Sequence, residues 1–307
     1  MLGPLRGVLR TAAGLAVILS LTLPVPADAA GAGGGAPAAA SRPGPPPVLD
    51  LPVSAQGFAV PGPNPRPSGP VTFRVSTTEA ECMLLALFRV KPGATFEEMK
   101  KAFDDVESKD PAIYLQGLRD QYRTTTFAGG AQVYPGRPVT LTVSLEPGTY
   151  YMVAASSTGG VGVQTLEVSA ERGTAVLPRY DAVIRFVQAG DRARLVLPRR
   201  LPAGGTFLIR NDSALPQEAI FAPTVPGTTY RTVQNYFDAL RAGATLPPNP
   251  LHQNAAGLLA IDPGRFAVFH ADFTPWRYSL LSFLAEPEHG EQQAYLGLHR
   301  EFDFTAD

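Results

Sequence analysis

A single cysteine, Cys82, stands in 307 residues. No disulfide can close within the chain even in an oxidising compartment, so stability has to come from packed cores. Lysine is equally sparse. Arginine outnumbers it 22 to 4, the arginines are scattered, and the formal net charge is −1. That balance builds no basic surface of the kind nucleic acid requires. The four histidines (His252, His270, His289 and His299) lack a zinc-type spacing such as two imidazoles one helical turn apart. The nucleophile elbow G-x-S-x-G, the metal motif H-E-x-x-H and the phosphate loop G-x-x-x-x-G-K are all missing. Beyond the first thirty residues no apolar run approaches the roughly 20 residues that cross a bilayer. These absences predict a non-enzymatic chain with no membrane span and no nucleic-acid partner.

What is present begins with an export pattern. Arg6 and Arg10 precede an apolar stretch from Ala12 to Leu23, and Ala27-Asp28-Ala29 supplies small residues for a signal peptidase. Residues 1–29 therefore read as a signal peptide cleaved after about Ala29, which places the mature chain outside the cell or in its envelope. Residues 30–47 are mostly Ala, Gly and Pro, too poor in apolar side chains to offset ordering entropy, and read as a tether.

The remainder carries a weak internal repeat. Phe73 in VTFRV matches Phe207 in GTFLI 134 positions later, and Pro92-Gly93 matches Pro226-Gly227 at the same offset. A helix with one apolar stripe follows each: Phe96, Met99, Phe103 and Val106 against Tyr230, Val233, Phe237 and Leu240. Thr95 with Glu98 forms a capping box, Thr229 takes the equivalent cap, and Gly243 suits the second helix's end. Further on the offset becomes 128, with Pro135-Gly136-Arg137 matching Pro263-Gly264-Arg265 and Tyr150 matching Tyr278. The first repeat adds a second helix, opened by Asp110 and Pro111. Val139, Leu141, Val143 and Leu145 alternate with polar residues, a strand with one apolar face. The expectation is a mainly β chain of two tandem β-sandwiches, each with a helical insertion, over 48–172 and 173–307.

The closing segment PWRYSLLSFLAEPEHGEQQAYLGLHREFDF resembles the last strands and ligand loop of a cupredoxin, the blue-copper sandwich. In that family a Tyr-x-x-x-Cys strand delivers a thiolate, a loop histidine and a Gly-Met follow, and an earlier histidine lies on a strand after a turn. Carried over position by position, Ser282 stands at the cysteine, Gln293 near the loop histidine, Leu298 after Gly297 at the methionine, and Gln217 at the first histidine. In the first repeat the matching positions are Met83, Ala154 and Gly162. Blue copper needs a thiolate and two imidazoles. The resemblance therefore implies cupredoxin-like sandwiches whose copper ligands are lost, with no metal or cofactor expected.

Several residues remain as candidates for function. Cys82 shares its strand face with Leu84, Ala86 and Phe88, which favours a small core hydrophobe over a soft-metal ligand. Trp276, Tyr278, His289 and Tyr295 are the candidate binding end of the second repeat, beside the acidic run Glu286, Glu288 and Glu291. Phe266, Val268 and His270 replace more polar residues on an outward strand face and suggest a contact surface, most simply with the other domain. The leading expectation is an exported or envelope-associated module that binds an unknown protein or glycan without type-1 copper. The alternative is a metal-handling, copper-binding protein with a divergent site using His289, His299 and Met83.

Overall fold

The strand at 139–145 shows how the molecule is built. Its apolar residues Val139, Leu141, Val143 and Leu145 are buried while Ser144 is exposed, the alternation expected of one face turned to a core. A computed structural model describes residues 43–156, 159–252 and 254–306, so the signal peptide and most of the tether lie outside the described residues.

In the first half, β1 (Val48–Pro52), β2 (Arg66–Ser76) and β3 (Met83–Val90) lead into α1 (Phe96–Asp105) and α2 (Pro111–Thr124). Then follow β4 (Thr125–Val133), β5 (Val139–Leu145), β6 (Gly148–Ser156) and β7 (Gly159–Arg172). The second half runs β8 (Ala182–Ala189), β9 (Arg192–Val196), β10 (Arg200–Pro202), β11 (Thr206–Asp212) and β12 (Gln217–Pro223). It continues through α3 (Tyr230–Arg241), β13 (Ala256–Ile261), β14 (Phe266–Ala271), β15 (Arg277–Leu281) and β16 (His299–Thr305). The chain is mainly β and its architecture is a β-sandwich. The opening strand runs parallel to its neighbour in both halves, β1 beside β2 and β8 beside β11.

The halves join along strand edges. Strand β5 pairs antiparallel with β14, placing Leu141 opposite Phe269, Val143 opposite Ala267 and Val139 opposite Ala271. Under the repeat's 128-residue offset, Leu141 and Phe269 are equivalent positions, and the other two pairs exchange symmetrically about them. A pseudo-two-fold axis therefore passes between Leu141 and Phe269. In the other sheet β4 pairs with β13, with Ala131 opposite Leu258. One core cluster accordingly runs through both halves, from Leu49 to Phe304.

This changes the reading of Phe266, Val268 and His270. Strand β14 meets the first half by main-chain pairing along its edge, with Val268 opposite Thr142 and His270 opposite Thr140. Val268 is buried, Phe266 and His270 are half-buried, and His270 Nδ1 lies 3.1 Å from the Gly205 carbonyl.

The helices cover the outer face of the second sheet. Cys82, Leu84, Ala86 and Phe88 pack with Met99 and Phe103 of α1 and with Val233 and Phe237 of α3, while Met83, Leu85 and Leu87 face the sandwich interior. Strand β3 is thus buried on both sides, which explains its nearly unbroken apolar run. Both helix starts form as expected. The Thr95 hydroxyl accepts from the Glu98 N–H, Glu98 returns to the Thr95 N–H, and Thr229 pairs with Thr232 in the same way. Each such cap is worth about 1 kcal/mol. Two glycines allow the strands to approach. A Cβ at Gly130 would run into the Leu85 carbonyl oxygen, and one at Gly257 would lie 2.7 Å from that of Ala219.

One charged residue lies beneath the helix layer. The register between β12 and β13 moves from Gln217↔Ile261 to Ala219↔Leu258, so Leu259 and Ala260 oppose Glu218 alone. Glu218 is buried among Phe88, Phe103, Leu118 and Phe127 beside a cavity of ≈ 50 Å³, and one carboxyl oxygen accepts the Phe283 N–H at 2.8 Å. Burial pushes this carboxyl up to about 8, opposed only in part by that hydrogen bond.

Two outcomes follow. Gly130→Ala should lower stability by about 2 to 3 kcal/mol. Gly136→Ala, at a turn with φ +73° and open space around it, should cost about 1 kcal/mol. Equal losses in urea denaturation would refute the close-approach argument. The folded state holds the Glu218 proton more tightly than the unfolded chain, so this residue's contribution is full below the ordinary carboxylate value of 4.5 and is lost as pH rises toward about 8. Glu218→Gln should therefore gain stability relative to wild type between pH 5 and 9, on the order of 4 kcal/mol in all. Parallel curves of melting temperature against pH would show that Glu218 titrates normally.

Candidate functional site

The longest difference between the halves is the loop 282–298, which joins β15 to β16. It is folded around one carboxylate. Glu286 accepts the N–H groups of Glu288 (2.7 Å), His289 (2.8 Å) and Glu291 (3.2 Å), and its own N–H donates to the Glu291 carbonyl at 2.9 Å. The first half's extra helix braces it from outside. The Tyr122 hydroxyl donates to the Ala285 carbonyl, Tyr114 donates to that of Gly290, and Arg119 reaches those of Pro287 and Glu288. On the other side Arg241 of α3 pairs with both oxygens of Glu291 at 2.7 and 3.0 Å.

This folding brings a ligand atom each from Glu286, Glu288 and His289 within 4.8 Å of one another. His289 Nδ1 lies 3.6 Å from Glu286 Oε1, and its side chain is 70% exposed. One imidazole and two carboxylates can hold a divalent metal ion. The sequence marked both the acidic run and His289, but gave no sign that Glu286 organises the turn.

At the base of this loop the four positions carried over from the cupredoxin pattern meet. Gln217 Nε2 donates to Gln293 Oε1 at 2.7 Å, and Gln293 Nε2 donates to the Pro216 carbonyl at 3.4 Å. The Ser282 hydroxyl accepts the Glu218 N–H at 3.3 Å, and the Ser282 N–H donates to the Leu298 carbonyl at 3.4 Å. All four side chains are buried. Their donor set of two amides, a hydroxyl and an alkyl group contains neither thiolate nor imidazole, and so does not fit a blue copper ion at that point. Above them opens a cavity of ≈ 600 Å³, with Gln217, Gln293 and Leu298 at its floor and Glu286, Glu288 and His289 on its wall.

Other expected groupings do not form. Trp276, Tyr278, His289 and Tyr295 do not share one end of the sandwich. Trp276 lies at the start of β15, where its Nε1–H donates to the Thr224 carbonyl at 2.7 Å, whereas the loop with His289 leaves the strand's other end. Tyr278 is core, edge-on to Phe273 and Phe304. Tyr295 packs on Phe237 at 4.9 Å, and burial pushes its hydroxyl up to about 12. Met83, His289 and His299 are not brought together either. Met83 is buried in the sandwich core. Both nitrogens of His299 are engaged, Nδ1 with Glu301 at 3.0 Å and Nε2 with Gln234 at 3.1 Å, and its ring stacks on Tyr230. Cys82 is buried, and desolvation pushes its thiol up to about 12, away from the reactive thiolate.

No family model and no curated protein matches the chain. Solved structures similar to it include a reduced auracyanin from Roseiflexus castenholzii, at 17% identity and TM-score 0.26, covering 41% of this chain and 99% of that one. A multicopper oxidase from Pediococcus acidilactici matches at 9% identity and TM-score 0.23, over 84% of this chain and 58% of that one. Fet3p, a multicopper oxidase that functions in iron import, matches at 10% identity and TM-score 0.22, over 86% of this chain and 66% of that one. The two multicopper oxidases run along most of the chain, the finding that stands against the expectation of a non-enzymatic module without copper.

Proposed function

We propose that the chain is an exported metal-handling protein, built from two copies of a cupredoxin-like unit over 48–172 and 173–307, that holds a divalent ion of the copper class on its 282–298 loop. The observation that carries this reading is the convergence of Glu286, Glu288 and His289 within 4.8 Å at the wall of a cavity. An imidazole with carboxylate oxygens suits borderline transition metals, and Cu²⁺ heads the Irving–Williams order for such donors. The loop's inner bonds hold Glu286 in place before any ion arrives, so the exposed Glu288 and His289 are the side chains left to order on binding.

This site is not the one that the cupredoxin pattern would use. It stands on the same loop but takes its ligands from the loop's outer turn. Export rests on the N-terminal pattern of charge, apolar run and small residues. Among the described residues no helix is long and apolar enough to cross a membrane.

Calorimetric titration of the mature chain with copper(II) should show one ion bound with a dissociation constant of roughly micromolar or below, which is about −8 kcal/mol. His289→Ala should weaken it roughly tenfold or more, equivalent to about 1.4 kcal/mol, and binding should weaken in acid as the ligands take up protons. Absence of heat above dilution, or a His289→Ala variant that titrates like wild type, would overturn the reading.

A further inference from the structure

One carboxyl lies between the loop that carries the ion site and the helix that braces it. Glu218 is 2% exposed and sits at the root of the 282–298 loop. One of its oxygens accepts the Phe283 N–H at 2.8 Å, and its own N–H donates to the Ser282 hydroxyl. The Phe283 N–H is the one hydrogen bond this carboxyl receives among the described residues. Glu218 lines a cavity of ≈ 50 Å³, above the roughly 10–15 Å³ that a single water needs.

Among the described residues no cation pairs with it. Strands β3, β4 and β13 and helix α1 present apolar side chains and Gly129, the loop presents Leu284 and Ala285, and α2 presents Leu118, Gln121 and Tyr122. Tyr122 is the one titratable group among these neighbours. Burial pushes its hydroxyl up, so it stays a neutral donor to the Ala285 carbonyl. Lys91 is engaged by other partners, donating to the Tyr122 carbonyl at 2.8 Å and lying 3.8 Å from Asp262. As the neutral acid Glu218 fits these surroundings, and as a carboxylate it has to be hydrated.

The walls of the cavity differ in strength. Its sheet strands are tied by main-chain pairing, β12 to β13, β13 to β4 and β4 to β3. Helix α1 lays Phe103 into the larger apolar cluster, 4.8 Å from Phe88. The wall between α2 and the loop is thinner: Leu118 packs with Ala285, and the Tyr122 hydroxyl holds the Ala285 carbonyl. Contacts of this kind open at a lower free energy than a paired strand. Ala285 directly precedes Glu286, whose carboxylate folds the turn that presents Glu288 and His289.

We infer that Glu218 is a positioning residue for the ion site and acts as a proton-operated latch: with its proton it lets α2 close on the loop root, and without it draws water into the cavity and parts the two. The consequence for the ion rests on the metal reading, because the turn with Glu286, Glu288 and His289 loses its outer support. The sign of the pH effect follows from burial. The closed form holds the proton up to about 8, whereas a hydrated carboxyl releases it near 4.5, so opening becomes easier as pH rises between these values and levels off above. By the same linkage, an ion that needs the closed turn favours protonated Glu218.

The test is amide hydrogen exchange of the metal-free mature chain, corrected for the intrinsic pH dependence of exchange, with the β5 seam as reference. Protection of the Glu286, Glu288 and His289 amides should be lower than that of Leu141 and Val143 at every pH, as a local opening requires. It should fall at least roughly tenfold from about pH 6 to about pH 8 and level off above. Glu218→Gln keeps the shape, removes the titration, and should hold its loop protection within roughly twofold over that range. In chelator competition at about pH 8, the wild type should bind copper(II) at least roughly threefold more weakly than Glu218→Gln, and the two should agree at about pH 5.5. Loop protection that ignores pH, that equals the seam's, or that falls alike in Glu218→Gln would overturn the latch. If the variant fails to fold, the wild-type comparison of loop with seam decides it. Equal copper(II) affinities at about pH 8 would overturn the latch's hold on the ion site. Failure of copper(II) to bind at all would overturn the metal reading alone, since the exchange is read without metal.

Discussion

Main-chain pairing between β5 and β14, and between β4 and β13, is the constraint on which the rest of the molecule depends. A β-sandwich has edges, and an unpaired edge is a row of unmet donors and acceptors. Here an edge of each sheet in one half is satisfied by the equivalent edge of the other. The register Leu141↔Phe269 and Ala131↔Leu258 then fixes the relation between the halves. A one-residue slip would turn every core side chain of the joined strands outward. The shared core cluster follows from this pairing.

The functional asymmetry is laid over that frame. Each half carries an insertion that the other lacks, α2 in the first and the 282–298 loop in the second, and the two insertions are packed together. Val106, Leu118 and Ala285 form a small apolar cluster between them, with Tyr114 and Leu115 at its edge. Arg119, Tyr114 and Tyr122 satisfy loop carbonyls that would otherwise need water. The turn that gathers Glu286, Glu288 and His289 is therefore held from inside by its own carboxylate and from outside by a helix of the other half.

Much of this was legible in the residues. Alternation located β5, the capping boxes located the helix starts, and the face shared by Cys82, Leu84, Ala86 and Phe88 marked them as core, which the structure lays against the helices. The cupredoxin resemblance, carried over position by position, named Gln217, Ser282, Gln293 and Leu298, which lie near one another at the base of the loop. The failures come from distance. Trp276 and His289 are near in sequence, yet β15 between them spans five residues, about 16 Å at 3.3 Å each, and carries them to opposite ends. The contact of Arg119 with Pro287 spans 168 positions, and no local pattern announces it. The burial of Glu218 depends on a bulge in β13, a partner strand that the segment QEAIF cannot foretell.

The asymmetric bracket between α2 and the loop gives the paired frame a polarity. A pair of equal halves would offer its surroundings two equivalent mouths. Here the long loop stands in the second half and the helix that props it in the first. Without the first half the loop's outer carbonyls would lie bare, and without the second α2 would have nothing to support. The strand pairing supplies the frame, and the difference between its halves supplies the bracket.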